Sequence, residues 1–225
     1  MSETVDLSGP EYNPPNCPAW AKVQVPAKIK PYAGYNGLPL RFRPKNPILG
    51  APTRGIDRYQ ANNAIYYCAE TAEFLYGGKY TPPKSGYRKG MLPAYEAIVA
   101  KYASGRGTDT EKVIALMKAM PRFFPHTKAP PCGVTGLPCD RNLGDEALLK
   151  SGCGWCNEQA RVFSRLCQVC GMGARLIHLW GQNHTIAEFC ADGRWILADA
   201  TFIFVAPDGK GKYLSVADCH DHGKG

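Results

Sequence analysis

Cys156, His184 and Asp199 are the three residues whose types could combine into a reaction. An ionised thiol is a strong nucleophile and an imidazole can take its proton near neutral pH. A carboxylate can fix the imidazole tautomer and stabilise the imidazolium. Such a set performs acyl transfer: the thiolate attacks a peptide or carboxamide carbonyl, and water or an amine resolves the thioester. The chain must therefore contain elements able to bring these side chains to one point.

The first element is a helix. After Gly154, the apolar positions Cys156, Ala160, Phe163, Cys167 and Cys170 advance by 4, 3, 4 and 3 residues, which sets them on one helical face, and Gly171 supplies a stop. Cys156 then lies in the first turn. There the unsatisfied N–H groups and the helix dipole favour an anion and lower a thiol's pKa. Cysteines deeper in a helix, such as Cys167 and Cys170, more often behave as small hydrophobes.

The second element is a hairpin. GARLIHLW, HTIAEFC and RWILADATF read as strands, and Asp192-Gly193 between the last two is a type I′ turn signal. A two-residue turn makes partner numbers sum to 385, so Cys190 faces Trp195, Glu188 faces Leu197, Ile186 faces Asp199 and His184 faces Thr201. His184 and Asp199 become diagonal neighbours on one sheet face, about 7–8 Å or less between Cβ atoms, within reach of a hydrogen bond.

GWCNEQARVFSRLCQVCGMGAR, followed by HTIAEF and DGRWILADAT, resembles the catalytic core of the transglutaminase-like superfamily over roughly residues 145–205. The matching positions are Cys156, Ala160, Phe163, Gly171, Ala174 and Arg175, then His184, Glu188, Gly193, Trp195, Asp199 and Thr201. The resemblance implies a papain-like α+β fold, a Cys156-His184-Asp199 triad, and no cofactor. It selects Cys156 over Cys153 as nucleophile and His184 over His178 as base. Ile186 stands where the family usually has Trp, and Met172-Gly173 where it has Ile-Pro. The short Cys-to-His interval resembles the peptide N-glycanase branch. Cys132 and Cys139 lack that branch's zinc-binding spacing, so its activity is not carried over.

Ten cysteines occur, at 17, 68, 132, 139, 153, 156, 167, 170, 190 and 219. Four of them spell C-x₂-C-x₁₀-C-x₂-C, a zinc-like pattern. A helix over 156–170 places Cys156 about 16 Å from Cys167, too far for ligands of one tetrahedral ion. Cys153-Gly-Trp-Cys156 also resembles a redox dithiol, but a proline-rich loop precedes it in place of a βαβ unit. A Cys153–Cys156 disulfide could mask the nucleophile reversibly. The tail Asp218-Cys219-His220-Asp221-His222 has metal-friendly side chains and reads as a solvated terminus.

Around these elements, ten of the 19 prolines precede residue 60, so 1–58 reads as an irregular extended arm and 59–225 as the catalytic domain. Helices are expected at 59–76, 91–104 and 109–120, then a long loop at 121–154 with one helical turn at DEALLK. The expected fold is α+β, with the thiol helix packed on an antiparallel sheet. Net charge is +8, with Lys and Arg scattered, which disfavours nucleic acid as a partner. It leaves room for steering of an acidic or cell-wall-derived peptide or protein substrate. No run of the sequence is apolar for long enough to cross a bilayer and the opening residues lack a leader pattern, so a soluble chain is expected, with the cytoplasm preferred as its compartment.

Overall fold

The structure, a computed structural model, describes residues 64–67, 72, 75–76, 87–126, 143–179 and 184–222. The arm 1–58, most of 59–76, residues 127–142 of the expected loop, and Cys17, Cys68, Cys132 and Cys139 lie outside the described residues.

In chain order the elements are β1 (Ala64–Tyr66), α1 (Pro93–Tyr102), α2 (Asp109–Phe123), α3 (Asp145–Ser151), α4 (Cys156–Val169), β2 (Ala174–Leu179), β3 (His184–Ala191), β4 (Arg194–Asp199), β5 (Phe204–Val205) and α5 (Val216–His222). Among the described residues, five strands form one sheet in sequence order. Among the described residues, no helix is long and apolar enough to cross a membrane.

The hairpin register is the one the turn dictates: β3 and β4 pair from Ala191–Arg194 to Ala187–Ala198. Asp192 and Gly193 take φ of 52° and 73°, the left-handed pair that a type I′ turn requires.

Two expectations need correction. Part of the segment read as a helix over 59–76 is strand, since Ala64–Tyr66 pairs in parallel with Leu176–His178 of β2. The sheet is therefore mixed, with β2 through β5 antiparallel and β1 parallel at one edge. A short apolar run fits a buried strand as well as a helix. Here Ala64 and Ile65 are both buried because consecutive strand residues enter the two separate cores that cover the sheet. The long connection from β1 to β2 makes parallel pairing feasible.

One of these cores joins Ala160, Phe163, Leu166 and Cys167 of α4 to Leu176, Phe189, Ile196 and Ala198 of the sheet. The other joins Ile65, Ile177, Ile186 and Leu197 to Ala206 and Val216. Helix α2 starts with a full capping box between Thr108 and Glu111. It runs three residues beyond the expected end, with Pro121 accommodated in its last turn. Helix α3 docks on α4 through Asp145, whose carboxylate accepts from Arg161 Nε at 2.9 Å and Arg165 Nε at 2.7 Å.

Arg175, Glu188 and Trp195, matched above only as motif positions, form a buried cluster. Arg175 and Glu188 are cross-strand partners, joined from Nε to Oε2 at 2.7 Å. The guanidinium carbon stacks 3.8 Å from the Trp195 ring centroid. Glu188 Oε1 accepts from Tyr76 Oη at 2.7 Å and from Val216 N, the first residue of α5, at 2.8 Å. Burial, followed by the charge of Glu188, pushes the Tyr76 phenol far above its ordinary pKa, so it stays a donor. The carboxylate thus holds two strands and a helix start together. Asp218, expected in a solvated tail, caps that same helix: its Oδ2 accepts from Ser215 N at 2.8 Å.

Removing one member of a buried, bonded ion pair leaves an uncompensated charge and costs about 3–5 kcal/mol. Glu188→Ala should therefore lower unfolding free energy in urea by about that much. A loss below about 1 kcal/mol would mean that water replaces the carboxylate.

Candidate active site

Cys156 is the first residue of α4, and its N-cap is Trp155, whose side chain makes no capping hydrogen bond. Glu158 instead reaches back, its Oε2 accepting from Trp155 N at 3.0 Å. The first N–H groups of a helix have no intrahelical acceptor, so the Cys156 sulfur sits where backbone donors and the dipole favour negative charge. The thiol is partly exposed and free, as is that of Cys153.

The approach to this helix is set by close packing. Gly152 ends α3 in the left-handed region at φ 80°. A Cβ on Gly154 would lie 2.6 Å from Glu158 Cβ and 2.7 Å from Phe124 Cε1, so only glycine lets the backbone pass between α2's end and α4's start.

His184 opens β3 and Asp199 closes β4. His184 Nε2–H donates to Asp199 Oδ2 at 2.7 Å, the direction being fixed because a carboxylate only accepts. Cys156 also hydrogen-bonds the imidazole. With Nε2 turned to the carboxylate, Nδ1 is the nitrogen left for the sulfur. The structure thus brings together all three side chains singled out from the sequence.

Asp199 is itself held. Its Oδ1 accepts from Thr201 N at 2.9 Å and Phe202 N at 3.3 Å. Thr201 Oγ1 then donates to Gln159 Oε1 at 3.0 Å, while Gln159 Nε2 donates to Phe124 O at 3.3 Å. Buried Gln159 links the thiol helix to the turn that carries the acid. Sequence reasoning missed it, although its position three residues after Cys156 in the first turn was visible. Its partner at 201 is supplied only by the folded turn.

The two histidines diverge. Burial works against the His184 imidazolium, but hydrogen bonds to Asp199 and Cys156 and their charges outweigh it and raise its pKa to about 10. His178 is lowered to about 4 by burial and the nearby charge of His184, so it is neutral at pH 7. Its Nδ1 hydrogen-bonds with the Thr185 hydroxyl at 3.0 Å, away from the acid. Burial also raises the Cys167 and Cys170 thiols, which suits packing and not reaction. Because Cys156–Val169 is one helix, the four-cysteine zinc arrangement is geometrically excluded.

Residues 96–200 match the family model described as the Transglutaminase-like superfamily. The match starts within α1, ends just after β4, and includes the thiol helix and the hairpin. Comparison with curated proteins and with solved structures returns no match.

Gly154→Ala should destabilise the protein by about 1–3 kcal/mol through overpacking against Phe124 and Glu158. Thermal unfolding checks this, and an unchanged midpoint would show that the passage has room for a methyl group.

Proposed function

We propose, from the match of residues 96–200 to the transglutaminase-like superfamily, which generally carries out cysteine-dependent acyl transfer or hydrolysis, that the protein is a thiol-dependent acyl hydrolase acting on a peptide or carboxamide bond. The observation that carries this reading is the imidazole of His184, bonded by Asp199 on Nε2 at 2.7 Å and by Cys156 on its other side.

In the proposed cycle the Cys156 thiolate adds to the carbonyl carbon. The Cys156 backbone N–H, at the helix mouth, is one donor to the developing oxyanion. His184 hands its proton to the departing amine as the C–N bond breaks, leaving a thioester. The now neutral Nδ1 takes a proton from water, whose oxygen attacks the thioester and releases the acid and the thiolate. Asp199 keeps Nε2 protonated throughout and offsets the imidazolium charge. An amine in the place of water would make the same cycle a transamidation. The nucleophile, the acid–base group and its orienting carboxylate in this cycle are all side chains of the protein, and water or the amine enters as co-substrate. The excess of basic residues suits encounter with an acidic peptide or protein.

The raised His184 pKa sets the pH behaviour. A folded pKa of about 10, above the unfolded value near 6.5, means the imidazolium contributes stability fully below about pH 6.5 and loses it as pH rises towards 10. At neutral pH the sulfur therefore faces a cation. Iodoacetamide should alkylate Cys156 ahead of every other thiol at pH 6–7, and His184→Ala should slow this about 10²-fold or more. Mass mapping reads both, and uniform slow labelling of all cysteines would overturn the assignment.

A further inference from the structure

Among the described residues, three exposed large apolar side chains are consecutive: Phe202 at 75%, Ile203 at 44% and Phe204 at 44%. They follow Asp199 and Thr201 directly, and the Asp199 carboxylate anchors their start by accepting from Phe202 N at 3.3 Å. The Phe202 ring centroid lies 5.7 Å from that of the His184 imidazole. Phe204 is the register partner of Asp199, and directly paired residues put their side chains on the same face of a sheet. One aromatic ring therefore lies against His184, and a second shares the sheet face of Asp199.

Between them Ile203 holds φ of 57°, a left-handed conformation that a β-branched residue seldom adopts. Glycine or asparagine would make this turn with less strain. An isoleucine there, and two phenylalanines beside it, add nothing to either core while they stand in water. Their position against the imidazole gives them a use.

We propose that Phe202, Ile203 and Phe204 form the subsite for the amine part of the substrate, and that this part carries a large apolar group, aromatic or branched. The inference rests on the acyl-transfer reading above, in which His184 exchanges its proton with the departing or attacking nitrogen. That nitrogen must sit on the imidazole's side of the site, and its substituent then lies against Phe202. In hydrolysis the group belongs to the leaving amine, and in transfer to the acceptor. Contact with the substrate would remove water from three side chains at once, and the selectivity of an apolar pocket grows with the area so covered.

The test uses the full chain and p-nitrophenyl acetate. The Cys156 sulfur bonds to the acetyl carbon as the ester C–O bond breaks, and the leaving oxygen takes the His184 proton and departs as nitrophenol, which ionises to nitrophenolate in solution. An added amine then bonds to the same carbon as the C–S bond breaks, its proton going to His184 and the sulfur leaving as thiolate. Steady-state nitrophenolate release is measured with phenethylamine and with 2-methoxyethylamine at equal free-base concentrations. The expected result is about a tenfold or greater preference for phenethylamine. That ratio should fall to within about twofold in Phe202→Ser/Phe204→Ser and persist in Phe202→Leu. The ratio is taken within each protein, so a change in overall rate does not enter it.

A nitrophenolate burst that is lost in Cys156→Ala, together with equal effects of the two amines or no effect of either, would overturn the subsite and leave the acyl-transfer reading standing. The absence of any burst dependent on Cys156 would overturn both. If the ratio is unchanged in the double serine variant, while a concentration-dependent dimer seen by sedimentation disappears, the patch is a self-association surface and the proposal fails.

Discussion

The hydrogen bond from His184 Nε2–H to Asp199 Oδ2 is the constraint around which the site is arranged. It decides which ring nitrogen faces the helix mouth, and so whether an imidazole near a thiol is oriented to exchange a proton with it. The bond exists because Asp192 and Gly193 accept positive φ and set the hairpin register. A slip of one residue would move the carboxylate to the other face. Asp199 is held in turn by the backbone of Thr201 and Phe202, and Thr201 by Gln159 of the thiol helix. The acid, the base and the helix start are therefore tied by a chain of directional bonds in addition to apolar packing.

The same sheet shows how environment separates chemically identical groups. His178 and His184 differ in what surrounds them: burial dominates at the first, and bonding to an acid and a thiol outweighs it at the second. Only the second keeps its proton at neutral pH. The cysteines divide likewise, since desolvation raises Cys167 and Cys170 inside the helix while Cys156 lies partly exposed at its mouth.

Away from the reacting groups, charge serves position. Glu188, fully buried, gathers Arg175, Tyr76 and the start of α5, and Arg175 is flattened against Trp195. Buried polar clusters of this kind specify one arrangement because any shift leaves a carboxylate or guanidinium without partners. The strands bearing His184 and Asp199 are thus locked a few residues from the site by an interaction that takes no part in the proposed chemistry.

What could be read from the chain alone was local or periodic. The steps after Cys156 mark a helix, Asp192-Gly193 marks a hairpin, and counting from that turn makes His184 and Asp199 neighbours, because helix and strand repeats are set by backbone geometry. Contacts between distant segments needed the tertiary structure. The run Ala64–Tyr66 becomes a strand because β2 offers an open edge and both faces of the sheet are covered. Glu188 finds Tyr76 and Val216, Gln159 finds Thr201, and Phe202 comes to stand against His184. Such pairings depend on how whole elements dock, and no residue spacing encodes that. Periodicity names the face a side chain lies on, and only packing decides what that face meets.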